Sequence, residues 1–220
     1  MKMRIYNLSS ILQGNILQVS EYTKGYVWET KQWKNLVQDI DTIINKRISS
    51  HYTGTIIIYQ PILQRFQKYG INKLEIVDII DGQQRLITCS LYLSIILKEL
   101  IKIGQKTYEA EIPFFLYSDN KSKLRPHQDI GDLYFDLVSK GFSNIKLYTI
   151  QQKRMSEAYN YLNTHLQEQV LLREEQGENY LRDLFDVIIR NLSFSLYIIE
   201  EESEIKRTLE LMNSRGREKS

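Results

Sequence analysis

Hydrophobic and polar positions alternate along this chain in two periods, and the change of period marks its elements. Ile16-Leu17-Gln18-Val19 predicts a short strand. From Lys31 to about Lys46, Trp33, Leu36, Val37, Ile40, Ile43 and Ile44 fall at helical spacing, and Thr30 stands where a cap is expected. Thr55 to Tyr59 is β-branched and predicts a strand, whereas Gln60 to Asn72 is polar and predicts a loop or a hairpin turn. Lys73 to Ile80 predicts a second long strand. The segment from Gln83 to Lys102 is apolar on almost every face, which predicts a helix at the centre of the core. Ile112 to Leu116 predicts a further strand. Helices are then expected at about Asp129–Ser139, Thr149–Gln169 and Glu178–Arg190, a strand at Leu192–Ile199, and a last helix at Glu201–Met212. The fold class is therefore α+β. A small mixed sheet with helices is expected in residues 1–110 and a mainly helical lobe in 111–220, whose late strand and helix return to the core.

Composition narrows this picture. A chain of 220 residues is long enough to bury a sizeable core. Ten glycines and three prolines leave little room for long flexible linkers. The single cysteine, Cys89, excludes an intrachain disulfide, and its place in the apolar helix predicts a buried thiol. That usage fits a reducing, cytoplasmic setting. The apolar stretch Leu86–Ile103 is interrupted by Thr88, Ser90, Ser94, Lys98 and Glu99, so no membrane span is expected, and Met1–Tyr6 does not open a signal peptide. The net charge of +2 is no nucleic-acid signature by itself. Its distribution is uneven: residues 1–74 carry 10 Lys/Arg against 4 Asp/Glu, and residues 75–220 carry 19 against 23. A basic front half suits contact with DNA as well as a solvated helix face.

The candidate chemistry lies in Asp81-Gly82-Gln83-Gln84-Arg85, where the second strand meets the apolar helix. Such a junction gathers free N–H groups and the positive end of a helix dipole, a setting for phosphate. Gly82 permits positive φ or close backbone approach. Arg85 offers a planar fork for bidentate anion contact. Asp81 can cap the helix, orient Arg85 or hold a metal. A second candidate is the aromatic loop with Tyr22, Tyr26 and Trp28 around Lys24, a set able to stack on bases and pair with a phosphate, or simply to fix a core edge. A third is Asn213 and Arg215, with Gly216 as a helix C-cap in the plain reading. The acidic run Glu200, Glu201, Glu202 and Glu204 suits a helix N-terminus. His51, His127 and His165 show no metal-ligand spacing, no metal site is expected from protein ligands alone, and no P-loop is present.

These motifs resemble the N-terminal domain of GmrSD-type restriction endonucleases. The resemblance rests on four blocks in order: Tyr22-Thr23-Lys24-Gly25-Tyr26-Val27-Trp28 with Gln32 to Ile40, then Tyr52-Thr53-Gly54-Thr55-Ile56-Ile57-Ile58, then Asp81 to Arg85, then Leu209 to Gly216. It implies a ParB/sulfiredoxin-like fold and a nucleotide-binding, nucleoside triphosphatase domain of a DNA-targeting, anti-phage restriction system, using an NTP with Mg²⁺. Asp81 and Arg85 would be catalytic. Gly82, Gln83, Gln84, Arg85, Asn213 and Arg215 would bind the phosphates. Tyr22, Lys24, Tyr26 and Trp28 are the candidates for contact with DNA. The partners implied are DNA and an HNH-type nuclease domain that is not expected within these 220 residues; a homo-oligomer stays open. Where the family carries Gln-Arg after its first tyrosine, this chain has Thr23-Lys24, which keeps the charge and loses the fork. The alternatives are a non-enzymatic module reading modified DNA, an inactive fragment, and a nuclease in its own right.

Overall fold

The computed structural model describes residues 4–21 and 23–217, the side chains of 211–217 excepted. The chain opens with β1 (Arg4–Asn7), α1 (Leu8–Leu12) and β2 (Asn15–Val19). Asn7 accepts from the Ser10 N–H at 2.8 Å and so caps α1, a short helix not legible from periodicity. After an irregular segment comes α2 (Thr30–Lys46), which starts one residue earlier than expected. Its cap position is Glu29 rather than Thr30, and Gln32 Oε1 accepts from the Glu29 N–H at 3.1 Å.

Next come β3 (His51–Tyr59), β4 (Arg65–Tyr69) and β5 (Asn72–Asp81), then α3 (Gln83–Lys102). The polar stretch read as a loop contains β4, paired antiparallel with the first half of β5 through a tight turn at Gly70-Ile71. Phe66 and Arg65 are exposed on it and only Tyr69, at its end, is buried, so this strand left no apolar alternation to detect. The strand expected at Ile112–Leu116 is instead α4 (Ile112–Phe115). Pro113 sits in its first turn, where a missing N–H is harmless, whereas in a ladder it would forfeit a bond. Three two-residue strands follow, β6 (Tyr117–Ser118), β7 (Lys121–Ser122) and β8 (Leu124–Arg125). Then come α5 (Gln128–Lys140), α6 (Ile150–Leu172), α7 (Gly177–Asp186), β9 (Leu192–Ile199) and α8 (Glu202–Arg217).

The main sheet has seven strands in the order β1-β9-β3-β5-β2-β8, with β4 on the same edge of β5 as β3. It is mixed: β3 runs parallel to β9, and β2 parallel to β5 and β8, while β1–β9 and β3–β5 are antiparallel. One face carries the large core. There α3 is buried along nearly its whole length, packed by α5, α6 and α7 as its apolar surface requires. That core is continuous from Leu8 to Leu196 and crosses residue 110 without a break. On the other face Ile57, Ile80 and Ile199 are covered by Ile205 of α8. Among the described residues no helix is long and apolar enough to cross a membrane.

Candidate functional site

The end of β5 is not a regular ladder. Ile58 of β3 pairs with Ile79, but Ile57 pairs with Asp81, so Ile80 is an extra residue, a β-bulge placed just before the turn. Gly82 follows with φ +93° as the residue preceding α3. A Cβ there would lie 3.0 Å from Ile56 Cγ1 and 3.1 Å from the Thr55 carbonyl oxygen, because the turn is pressed against β3. Both backbone conformation and space therefore require glycine. No side chain caps the first turn of α3, which leaves its leading N–H groups and dipole uncompensated by a capping oxygen.

The two glutamines turn toward the aromatic loop. Gln84 Oε1 accepts from the Val27 N–H at 2.9 Å and the Trp28 N–H at 3.3 Å, and Gln84 Nε2 donates to the Gly25 carbonyl at 2.8 Å. One side-chain amide thus satisfies three backbone groups of a segment that has no ladder of its own. Gln83 is 7% exposed and donates from Nε2 to the Lys24 carbonyl at 3.4 Å, while its Oε1 is buried without a partner among the described residues. Tyr26 is fully buried. Trp33 Nε1 donates to its hydroxyl at 2.9 Å, and that hydroxyl lies 2.8 Å from Thr88 Oγ1. Thr88 Oγ1 in turn donates to the Gln84 carbonyl at 2.8 Å. Since the Thr88 proton is spent on Gln84, Tyr26 must donate to Thr88, and the relay runs in one direction from Trp33 to α3. Burial pushes the Tyr26 phenol far above its ordinary pKa, which keeps it a donor.

Arg85 points elsewhere. Its guanidinium lies across Gly54 of β3: a Cβ at Gly54 would come within 2.9 Å of Arg85 Cζ and 3.1 Å of Nε. Gly54 has φ +134° and follows a second bulge, where Tyr52 pairs with Ser193 and Gly54 with Phe194, leaving Thr53 as the extra residue. Arg85 and Thr53 line a small pocket with Trp28, Gln32, Asn35 and Asp39, about 210 Å³ in volume. Asp39 faces His51 Nε2 at 3.5 Å. Among the described residues Arg85 makes no hydrogen bond and no ion pair. The exposed Tyr52 stands beside it; hydrogen bonds to Thr55 and Ser195 lower its phenol pKa, with a smaller contribution from the Arg85 charge.

Placement of the expected residues is uneven. Gly82, Gln83, Gln84 and Arg85 share one turn, and Trp28 joins Arg85 at the pocket. Asp81 closes β5 opposite Ile57 and does not line that pocket. Lys24 is exposed. Tyr26 belongs to the core, so its ring offers no face for a base to stack on, a correction to its reading as a DNA contact. Tyr22 lies outside the described residues. Asn213 and Arg215 do not follow a helix but stand within α8, which continues to Arg217 past Gly216; their side chains are outside the described residues. Gly54, Thr53 and Asn35 were not singled out from sequence. An isolated glycine inside a β-branched strand signals a bulge or a close approach, and Gly54 is both. Cys89 is buried in α3, and burial pushes its thiol up to about 12. Among the described residues no group of three or more His, Cys, Asp or Glu side chains could hold a metal ion.

Fold and site define a mixed α+β domain that presents an arginine in a polar pocket at a strand–turn–helix junction. The family model for the GmrSD restriction endonuclease, N-terminal domain, matches residues 7–219, and the chain belongs to that family. The family places it in a DNA-targeting restriction system. Comparison with curated proteins gives no match.

Proposed function

We propose that the domain is the nucleotide-responsive, nucleoside triphosphatase part of its restriction system, with the phosphates received at the Asp81–Arg85 turn. The observation that supports this most is the state of Arg85: a permanent cation held on Gly54, unpaired among the described residues, beside a helix N-terminus without a capping side chain. Leaving a fork of donors unused in a folded protein suits an anion that arrives from outside. The pocket, about 210 Å³, is smaller than the roughly 300–1,000 Å³ of whole-ligand sites, so it suits one phosphoryl group, with the remainder of the nucleotide lying outside it. In this reading the first-turn N–H groups of Gln83 and Gln84 and the Arg85 fork hold the phosphates, Gly82 forms the turn that presents those groups, and Asp81 positions water. The family resemblance also assigns Asn213 and Arg215 to the phosphates; their side chains lie outside the described residues. Mg²⁺ bound with the nucleotide supplies further neutralisation of phosphate charge. DNA cleavage itself belongs to an HNH-type nuclease domain acting with this one.

Titration calorimetry with ATP, GTP, CTP and UTP in Mg²⁺ tests the reading on wild type and Arg85→Ala. Saturable binding of at least one nucleotide, lost in the variant, and hydrolysis lost with it are expected. A folded wild type that binds none of the four overturns the assignment. A second reading uses the same arginine on a DNA backbone phosphate, with Lys24, exposed on the loop that Gln83 and Gln84 hold, as a further cation. That reading predicts DNA binding that falls steeply with salt and ignores added nucleotide.

A further inference from the structure

At the opposite end of β5, on the order of 30 Å from Gly82 by strand rise, a second cation is held without an anion. Lys123, between β7 and β8, is only 3% exposed. Its backbone is fixed on both sides, donating to the Leu116 carbonyl at 2.7 Å and accepting from the Leu17 N–H at 2.9 Å. Its ammonium stands 4.8 Å from the centre of the Tyr69 ring. Among the described residues that side chain makes no hydrogen bond and no ion pair. Tyr69 is also 3% exposed, and its hydroxyl is buried with no partner among the described residues. Burial raises the Tyr69 phenol well above its ordinary range, so it remains a proton donor.

Both side chains line one open cavity of about 880 Å³ between the β4–β5 turn, the α1–β2 turn and the segment from α4 to β7. Leu74, Pro113 and the half-exposed Phe114 supply apolar wall, and Ile71 stands exposed at the mouth. The other charged groups there, Lys68 and Asp119, are exposed at its rim. A ring face alone is a weak substitute for the water an ammonium gives up, and it leaves the phenol hydroxyl unanswered. A buried hydroxyl without an acceptor beside an ammonium without an anion, in a cavity of ligand size with an apolar wall, lack the same thing: an anionic group carried on an apolar body.

We propose that this cavity is a binding site for a small organic anion, a phosphate or carboxylate on a flat apolar body, whose charged group is received by Lys123 Nζ and the Tyr69 hydroxyl. The site is separate from the Arg85 turn and does not depend on the role given to that turn.

Calorimetry with phenyl phosphate, benzoate, inorganic phosphate and the neutral benzyl alcohol tests it on the full chain. Phenyl phosphate or benzoate is expected to bind saturably and benzyl alcohol much more weakly; which of the two binds tighter distinguishes phosphate from carboxylate. Tyr69→Phe, which removes only the hydroxyl, should weaken binding about tenfold. Lys123→Met should abolish it, and Arg85→Ala should leave it unchanged. Should Lys123→Met not fold, the ε-methylene resonance of Lys123 in the ¹³C-labelled wild type, which must shift on titration, replaces it. The proposal is overturned if no anionic probe binds the folded wild type, if benzyl alcohol binds as well as benzoate, or if Tyr69→Phe and the Lys123 readout are both unaffected.

Discussion

Gln84 shows how much one side chain can organise. Its amide meets the backbone of residues 25, 27 and 28, and no other side chain offers those groups a partner in the described structure. Gln84→Ala should therefore cost about 1–3 kcal/mol, since it leaves backbone groups unsatisfied as well as removing bonds. Urea denaturation measures the loss, and faster amide exchange at Val27 and Trp28 would locate it. An unchanged exchange rate at both would refute the clamp. Gly54 acts on Arg85 by absence. Gly54→Val would place side-chain atoms where the guanidinium now lies, 2.9 Å from the ideal Cβ. If Arg85 is the anion receptor, this variant should lose nucleotide affinity at least tenfold, by about 1.4 kcal/mol; since φ +134° also strains valine, its Tm should fall, and affinity is compared below that Tm, where circular dichroism shows the variant folded. Equal affinity in the two proteins would mean that the position of Arg85 is irrelevant to binding.

At the scale of elements, the functional unit is β5, the turn and α3 together with β3 lying across them. Two bulges, at Ile80 and Thr53, bend the paired strands where Gly82 and Gly54 face α3 and its arginine. The turn is the tightest point of this unit. Gly82→Ala puts a β-carbon 3.0–3.2 Å from the Ile56 backbone and side chain in a left-handed conformation. The expected cost exceeds about 1 kcal/mol, the usual penalty of the conformation alone. Thermal denaturation should show the drop. A Tm equal to wild type would show that β3 does not press on the turn. The same element joins site to core: the relay from Trp33 through Tyr26 and Thr88 ends on the Gln84 carbonyl, inside the first turns of α3.

For the whole molecule, α3 is the axis that connects the motif to the helical side. Near its other end Lys98 is largely buried and donates to the Leu137 and Val138 carbonyls at 3.0 and 2.6 Å, closing the C-terminus of α5. Burial lowers its pKa to about 7, although the carbonyls and the helix end favour the charged form. In the unfolded chain a lysine titrates near 10.4. Between these values unfolding takes up a proton, so stability rises with pH from about 7 toward 10. Lys123, lowered to about 8 by burial, contributes with the same sign over the upper part of that window. Stability measured by urea at pH 7 and pH 9 should therefore increase, and Lys98→Met should flatten the slope. Identical slopes in the two proteins would remove Lys98 from the account.

The sequence by itself determined the α+β class, the limits of α3 and β9, the α2 stripe and the strand–turn–helix junction at Gly82. These are local properties: a period of two or of 3.6, a stop at glycine, a run of apolar residues too broad for one face. It did not show β4 or α1, whose apolar signal is short or absent, and it misread α4, where Pro113 settled the matter only in context. Nor did it place the polar residues of the motif. Gln83, Gln84 and Arg85 are consecutive, yet the first two hold a loop 56–59 residues away while the third lies over Gly54. Tyr26 and Trp28 are two residues apart, yet one is sealed in the core and the other borders the pocket. Lys123 and Tyr69, from separate turns of the chain, become a pair only through packing. Periodicity fixes which face of an element is apolar. Which polar group finds which partner depends on contacts between distant segments, and only the assembled sheet and its covering helices decide those.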